Sequence, residues 1–199
     1  MSEMTDQELI RRAHDLRKEA SQLLYREGLF PLVAAVGPAS IRGSFALDLM
    51  TWPDIDLSVL LPHEKDISTF FSLGKEIATQ FHTVKMSFSN QFIRPDVPFD
   101  HGLYWGIRIL YNDNQWKIDL WGYGEDAYRA DSTAYEELSK KLQKADRISI
   151  LRIKNEVRKR PEYRINISSI DIYEAIAQYN VKTVEEFDAW CSSRENLNV

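Results

Sequence analysis

The sequence predicts an α+β protein: a mixed β-sheet in the middle of the chain, flanked by helices, with a helical C-terminal region. Three observations carry this. Apolar residues recur every third or fourth position near the start of the chain. They alternate with polar residues in several stretches between residues 54 and 121, and helical spacing returns after Gly124.

Thr5 and Glu8 form a capping-box pattern at the head of the first helix. Leu9, Ile10, Ala13, Leu16, Ala20, Leu23 and Leu24 make its apolar stripe, and Gly28 with Pro31 just beyond supplies the stop. A helix is therefore expected over residues 5–27. An apolar segment from Leu32 to Val36 leads through Gly37-Pro38 to a short strand expected at 39–44. Residues 45–50 are ambiguous, with a short helix as one option, and Trp52-Pro53 punctuates them.

From Asp54 to Leu61 the pattern is that of a strand. Ile55, Leu57 and Val59 point to one face, Asp54, Asp56 and Ser58 to the other. Ile67, Phe70, Phe71, Ile77, Ala78 and Phe81 give a helical stripe within 64–81, and Val84, Met86 and Phe88 alternate as in a strand. A polar loop with Pro95 and Pro98 follows. Leu103, Trp105, Ile107 and Ile109 then alternate, and beyond the turn cluster Asn112-Asp113-Asn114 so do Trp116, Ile118 and Leu120. The two runs predict an antiparallel hairpin, with Lys117, Asp119 and Trp121 on the second strand's other face. Helices are expected at 131–143, at 145–160 up to Pro161, at 169–179, and at 184–192 behind a Thr183/Glu186 capping box. By this reading residues 1–122 form the core with its N-terminal helix, and 123–199 the helical C-terminal region.

With 199 residues, 44% hydrophobic, the chain can bury a core without disulfides or a structural metal. No repeat or low-complexity segment is present. A net charge of −5 argues against a long nucleic-acid footprint, because phosphate neutralisation demands a basic excess. Cys191 is the single cysteine, so no intrachain disulfide can form. The acidic, polar start Met-Ser-Glu-Met-Thr-Asp lacks the apolar centre of a secretory signal. No stretch of roughly 20 apolar residues exists, so no membrane contact is expected. A reducing cytoplasm is the expected location.

Three features bear on chemistry: Gly43-Ser44 at a strand end, Asp54-Ile55-Asp56 on the next strand, and Asp119 within an otherwise apolar and aromatic strand. Nucleotidyl transfer explains why such parts belong together. Two Mg²⁺ ions about 3.5–4 Å apart can bind the attacking and leaving oxygens of an in-line displacement. Mg²⁺ takes oxygen ligands and is usually held by a few carboxylates plus substrate phosphates. Asp residues at i and i+2 of a strand face the same way, and a third on a neighbouring strand completes such a site. Gly43 would let the backbone approach a triphosphate, with the Ser44 hydroxyl and nearby N–H groups donating to it. Each feature also has a plainer reading. Gly-Ser is an ordinary turn, the Asp pair an exposed strand face, and Asp119 the partner of Lys117.

Gly43-Ser44, nine intervening residues, then Asp54-Ile55-Asp56-Leu57 resembles the signature of the DNA polymerase β-like nucleotidyltransferases. Asp119 in Trp116-Lys117-Ile118-Asp119-Leu120 matches the third acidic residue of that superfamily, and the resemblance spans roughly residues 30–122. It implies a nucleotidyltransferase-like fold and transfer of a nucleoside monophosphate from an NTP to an acceptor hydroxyl, with release of pyrophosphate. It also implies Mg²⁺ or Mn²⁺ at Asp54, Asp56 and Asp119, and triphosphate binding at Gly43 and Ser44. Arg42 stands where the family more often has an apolar or aromatic residue, and adds a candidate phosphate contact. A small-molecule acceptor fits the acidity and length. A protein acceptor of the toxin–antitoxin kind is the alternative, and a non-catalytic nucleotide-binding module is a third reading that three retained carboxylates oppose.

Arg147, Arg152, Lys154, Arg158, Lys159, Arg160 and Arg164 concentrate on and after one helix. A solvated helix face is the favoured reading, with Lys154 the candidate for reaching the triphosphate. His14, His63, His82 and His101 show no metal-ligand spacing. Trp105, Trp116 and Trp121 read as core or cleft wall, one of them available to stack on a base.

Overall fold

The computed structural model describes residues 4–93 and 102–195. The expected loop at Pro95 and Pro98, and His101, lie outside the described residues. The chain forms two compact units, Leu16–Tyr135, and Met1–Asp15 together with Glu136–Val199.

The first unit is built on a five-stranded mixed sheet in the order β1-β2-β5-β4-β3. Its strands are β1 (Ala39–Arg42), β2 (Asp54–Leu60), β3 (Thr83–Asn90), β4 (Gly102–Tyr111) and β5 (Asn114–Tyr123). β2 and β5 run parallel, and every other pair is antiparallel. The β4–β5 hairpin closes on Asn112 and Asp113, both at positive φ (47° and 64°). That backbone suits the right-handed twist of the strands, and Asn and Asp are among the side chains that tolerate it. The alternating apolar residues explain the rest. Ile55, Leu57 and Val59 of β2, Ile107 and Ile109 of β4, and Trp116, Ile118 and Leu120 of β5 are buried in one core. Leu23 and Leu24, Val33 and Phe70, Leu73 and Ile77 join the same core. Burying each such side chain contributes about 1.5–3 kcal/mol. Trp116 is fully buried, and its indole N–H donates to Glu19 Oε1 at 2.8 Å.

Three expectations are corrected. The first helix, α1 (Asp6–Ser21), continues as one π-turn (Gln22–Arg26) that Gly28 ends at φ 88°. Pro31, however, lies within the next helix, α2 (Leu29–Ala34), in its first turn, where a missing N–H costs nothing. The strand expected at 39–44 stops at Arg42. Gly43 at φ 59° turns the chain into the short helix α3 (Gly43–Ala46). After α4 (Ile67–Gln80) and the hairpin, α5 begins at Glu125 and runs to Leu142. No side chain of α5 is fully buried, so its first turns carry no apolar stripe to mark them.

In the second unit α6 (Arg147–Val157), α7 (Ser169–Tyr179) and α8 (Val184–Glu195) bury Ile150, Ile153, Val157, Ile172, Ile176 and Phe187. Leu9 and Ala13 of α1 pack on Leu151. The helix ends are chemically set: Asp146 accepts from the Ile148 N–H, and Ser168 with Asp171 forms a capping box. Asn180 closes α7 in the left-handed region.

Candidate active site

The parallel pairing of β2 with β5 places Asp54 beside Lys117 and Asp56 beside Asp119. Two-residue spacing turns all four side chains to one face of the sheet, opposite the apolar core. The three carboxylates converge there, with one oxygen of each lying within 4.8 Å of the others. Three hard oxygen donors at that spacing fit a small divalent cation such as Mg²⁺ or Mn²⁺. The sheet unit therefore brings together three residues that are 65 positions apart in sequence at their widest.

Gly43 completes this cluster from the β1 side. A Cβ there would lie 1.8 Å from Asp56 Oδ2, and the backbone sits at φ +59°. Both facts require glycine. Gly43 and Ser44 are the first residues of α3, so their N–H groups have no acceptor within the helix. Ser44 is itself buried.

Several neighbours hold the carboxylates in place. The Trp52 indole N–H donates to Asp54 Oδ2 at 3.1 Å. The Tyr104 hydroxyl donates to Asp119 Oδ1 at 2.6 Å. Burial, followed by this bond to Asp119 and the carboxylate's charge, pushes the Tyr104 phenol well above the usual tyrosine range, so it stays a donor. Gly106, directly across from Asp119 on β4, makes room for it: a Cβ there would lie 2.8 Å from the Tyr104 oxygen. The Lys117 ammonium is bonded to Asp119 Oδ2 and lies 3.4 Å from Asp54 Oδ1.

Arg42 and Lys154 each have bonded partners. Arg42 Nε donates to Asp131 Oδ2 and Nη2 to Ser132 Oγ, both at 2.8 Å, while its guanidinium lies over the Tyr135 ring. Asp131 also accepts from the Ser58 hydroxyl, so these bonds tie α5 to β1 and β2. Lys154, in the helical unit, is fully buried and donates to the Tyr173 hydroxyl at 2.9 Å. Of the basic cluster around it, Arg152 pairs with Asp6, Lys159 with Glu156 and Arg160 with Asp188.

Trp105 and Trp116 are core residues. Trp121 instead lies on the triad's face, between Tyr104 (ring centroids 4.8 Å apart) and Tyr123 (5.7 Å, nearly parallel). Beyond this aromatic row, at the C-terminal ends of β2 and β5, lies a cavity of about 1130 Å³. Leu60, Phe92, Tyr123, Glu64, Asp126 and Asp131 are among its lining residues.

Lys117 is legible in the sequence as the same-face neighbour of Asp119. Trp52 and Tyr104 are not. Nothing marks Tyr104 as special until the hairpin register sets it diagonally across from Asp119, and Trp52 reads only as punctuation beside Pro53.

No protein-family model matches the sequence, and no curated protein does. Solved structures do resemble it. A GLD-2/RNP-8 complex aligns at a TM-score of 0.52 with 12% identity, covering 85% of this chain and 62% of that one. The Cid1 poly(U) polymerase with Mg and 3′-dATP aligns at 0.46 and 13%, covering 85% and 54%. A cytoplasmic RNA terminal U-transferase aligns at 0.42 and 15%, covering 84% and 52%. This chain thus spans 62% or less of the length of these three. No helix among the described residues is long and apolar enough to cross a membrane. At such identities the likeness is one of architecture: this chain shares with the GLD-2 structure a mixed sheet flanked by helices.

Proposed function

We propose that this protein transfers a nucleoside monophosphate from an NTP to an acceptor hydroxyl, releasing pyrophosphate, with Asp54, Asp56 and Asp119 as its metal-binding carboxylates. The observation that carries this reading is the convergence of the three within 4.8 Å on one sheet face, beside a glycine with no room for a Cβ. When bound, Mg²⁺ or Mn²⁺ supplies Lewis-acid polarisation and charge neutralisation for the in-line displacement.

The chain's own residues do the rest. Asp54 and Asp56 would hold the metal with Asp119, flanked by the Trp52 indole on one side and the Gly43 turn on the other. Asp119 accepts the acceptor's hydroxyl proton as the new O–P bond forms and the bond to pyrophosphate breaks. Tyr104 keeps the Asp119 carboxylate turned for this task. The N–H groups of Gly43 and Ser44, with the Ser44 hydroxyl, donate to the triphosphate. Arg42 serves by holding α5 beside the site.

The acceptor in this reading is a small molecule. The net charge of −5 disfavours a polyanionic acceptor. The cavity of about 1130 Å³ is large enough for a drug-sized ligand. Tyr123 is four residues beyond Asp119 on the same face, so the cavity begins about 13 Å along the strand from the triad. An acceptor seated there lies along Trp121 with a hydroxyl at Asp119. The test is incubation of purified protein with labelled NTPs, Mn²⁺ or Mg²⁺, and a panel of small hydroxyl compounds, with RNA oligonucleotides and whole-protein lysate as separate arms. Pyrophosphate release and a labelled small product support the reading, and Trp121→Ala then raises the acceptor KM. Label on RNA or protein alone refutes the small-molecule acceptor. No transfer in any arm refutes the activity.

A further inference from the structure

Four of the residues facing out from β2 and β5 make a square: Asp54 and Asp56 on one strand, Lys117 and Asp119 beside them on the other. Three corners are carboxylates and the fourth is an ammonium group. The Lys117 side chain, 17% exposed, does not extend into solvent. It folds in among the carboxylates, bonded to Asp119 Oδ2 and 3.4 Å from Asp54 Oδ1. Those two oxygens belong to two of the three groups that would share a metal ion. Arg108, directly across from Lys117 on β4, adds a second positive charge behind it.

We infer that Lys117 occupies the cation position of this site, holds the carboxylates together without a metal, and must be displaced when a divalent ion binds. The inference rests on the metal-site reading proposed above. Three carboxylates within 4.8 Å repel one another, and an ammonium ion among them offsets that repulsion. Because the ammonium is tethered to the same strand, it competes at an effective concentration of millimolar or more without losing free translation. A monovalent ion of equal charge gains nothing by replacing it. A divalent ion does, because its doubled charge strengthens every carboxylate contact. Lys117 therefore sets the threshold of metal binding: it lowers affinity for the ion while keeping the ligands in the geometry the ion needs. It is a positioning residue that acts through Asp54 and Asp119.

This assignment makes a prediction that an ordinary structural lysine would not. Removing a residue that merely supports the site weakens metal binding, whereas removing a resident cation strengthens it. The experiment is Mn²⁺ titration of the full chain, read directly by the loss of the free-ion paramagnetic signal and in parallel by thermal shift. The proteins are wild type, Lys117→Met, Lys117→Gln and Asp54→Asn. Lys117→Met and Lys117→Gln should each bind Mn²⁺ at least about tenfold more tightly than wild type, because the tethered competitor is gone. Without metal both should melt lower, and Mn²⁺ should raise their melting points by more than it raises that of wild type. Should Lys117→Met fail to fold, Lys117→Gln keeps a polar end in the same place and carries the test. Unchanged or weaker Mn²⁺ binding in the folded Lys117 variants, with Asp54→Asn still impaired relative to wild type, overturns the role of Lys117 and leaves the metal site standing. Wild-type Mn²⁺ binding by Asp54→Asn overturns the metal site, and this inference with it.

Discussion

Gly43→Ala tests the geometry of the site at its tightest point. The substitution adds one methyl group, and that methyl would sit 1.8 Å from Asp56 Oδ2, where ordinary contact begins near 3.4 Å. The carboxylate must therefore retreat by about 1.6 Å, or the turn into α3 must open. Mg²⁺ holds its oxygen ligands at roughly 2.0–2.1 Å in near-octahedral order and does not follow a ligand that far. A misplacement of about 1 Å at a reacting centre can cost 100-fold in rate, so transfer should fall by at least about that factor. The backbone adds its own cost. Alanine at φ +59° is strained by about 1–3 kcal/mol, which lowers the melting temperature by roughly 2–12 °C for a chain of this size. Asparagine separates the two effects. It tolerates the left-handed region but still carries a Cβ, so Gly43→Asn should recover part of the stability and none of the activity. The assays are thermal denaturation, Mn²⁺ titration and pyrophosphate release on the same preparations. If Gly43→Ala or Gly43→Asn binds Mn²⁺ and turns over like wild type, the close approach of Gly43 to Asp56 has no functional meaning and the proposed site is wrong.

Other changes separate the roles of neighbouring groups. Asp54→Asn and Asp56→Asn should each abolish transfer while changing folding stability by less than about 1 kcal/mol, because a ligand charge is lost without core packing. Urea denaturation together with turnover checks this, and an active mutant would remove its residue from the metal site. Tyr104→Phe should slow transfer roughly tenfold by releasing Asp119. It should also alter the alkaline limb of stability. The raised phenol pKa means the bonded, neutral form stabilises the fold below about pH 10, the unfolded-chain value, and that contribution fades as pH rises further. Denaturation at pH 8 and pH 10.5 should show a steeper loss in wild type than in Tyr104→Phe, and equal slopes would count against the bond. Arg42→Ala should cost about 2 kcal/mol, because it strands Asp131 without its charged donor. Mn²⁺ affinity within twofold of wild type would then fit an anchor for α5, whereas a large loss would make Arg42 part of the site.

Much of the site is written in strand periodicity. Alternation along 54–60 and 114–123 is enough to say that Asp54, Asp56, Lys117 and Asp119 oppose the apolar residues, because side chains on a strand can point only two ways. The hairpin was equally legible, since Asn112-Asp113 accepts the positive φ that a tight turn demands. Helix starts with a capping box were readable too, as at Thr5 and Thr183, where the capping bonds form. Where no local signal exists, the reading failed. The first turns of α5 bury nothing completely, and Pro31 reads as a stop although it belongs to a first helical turn.

Apart from the β4–β5 hairpin, which strand lies beside which was beyond the sequence. Periodicity assigns a face to Asp119 but not a neighbour. It is the parallel pairing of β2 with β5, 65 residues apart between Asp54 and Asp119, that sets Asp56 beside Asp119 and Lys117 beside Asp54. Packing of the shared core decides that pairing, through contacts no local window contains. The same holds for Tyr104, Trp52 and Arg42, whose partners depend on where other elements come to rest. Sequence alone determined which side chains could carry the chemistry, because local sterics and hydrophobic period are local properties. Only the tertiary structure decided that three carboxylates meet around one ammonium, because convergence is a property of register and packing.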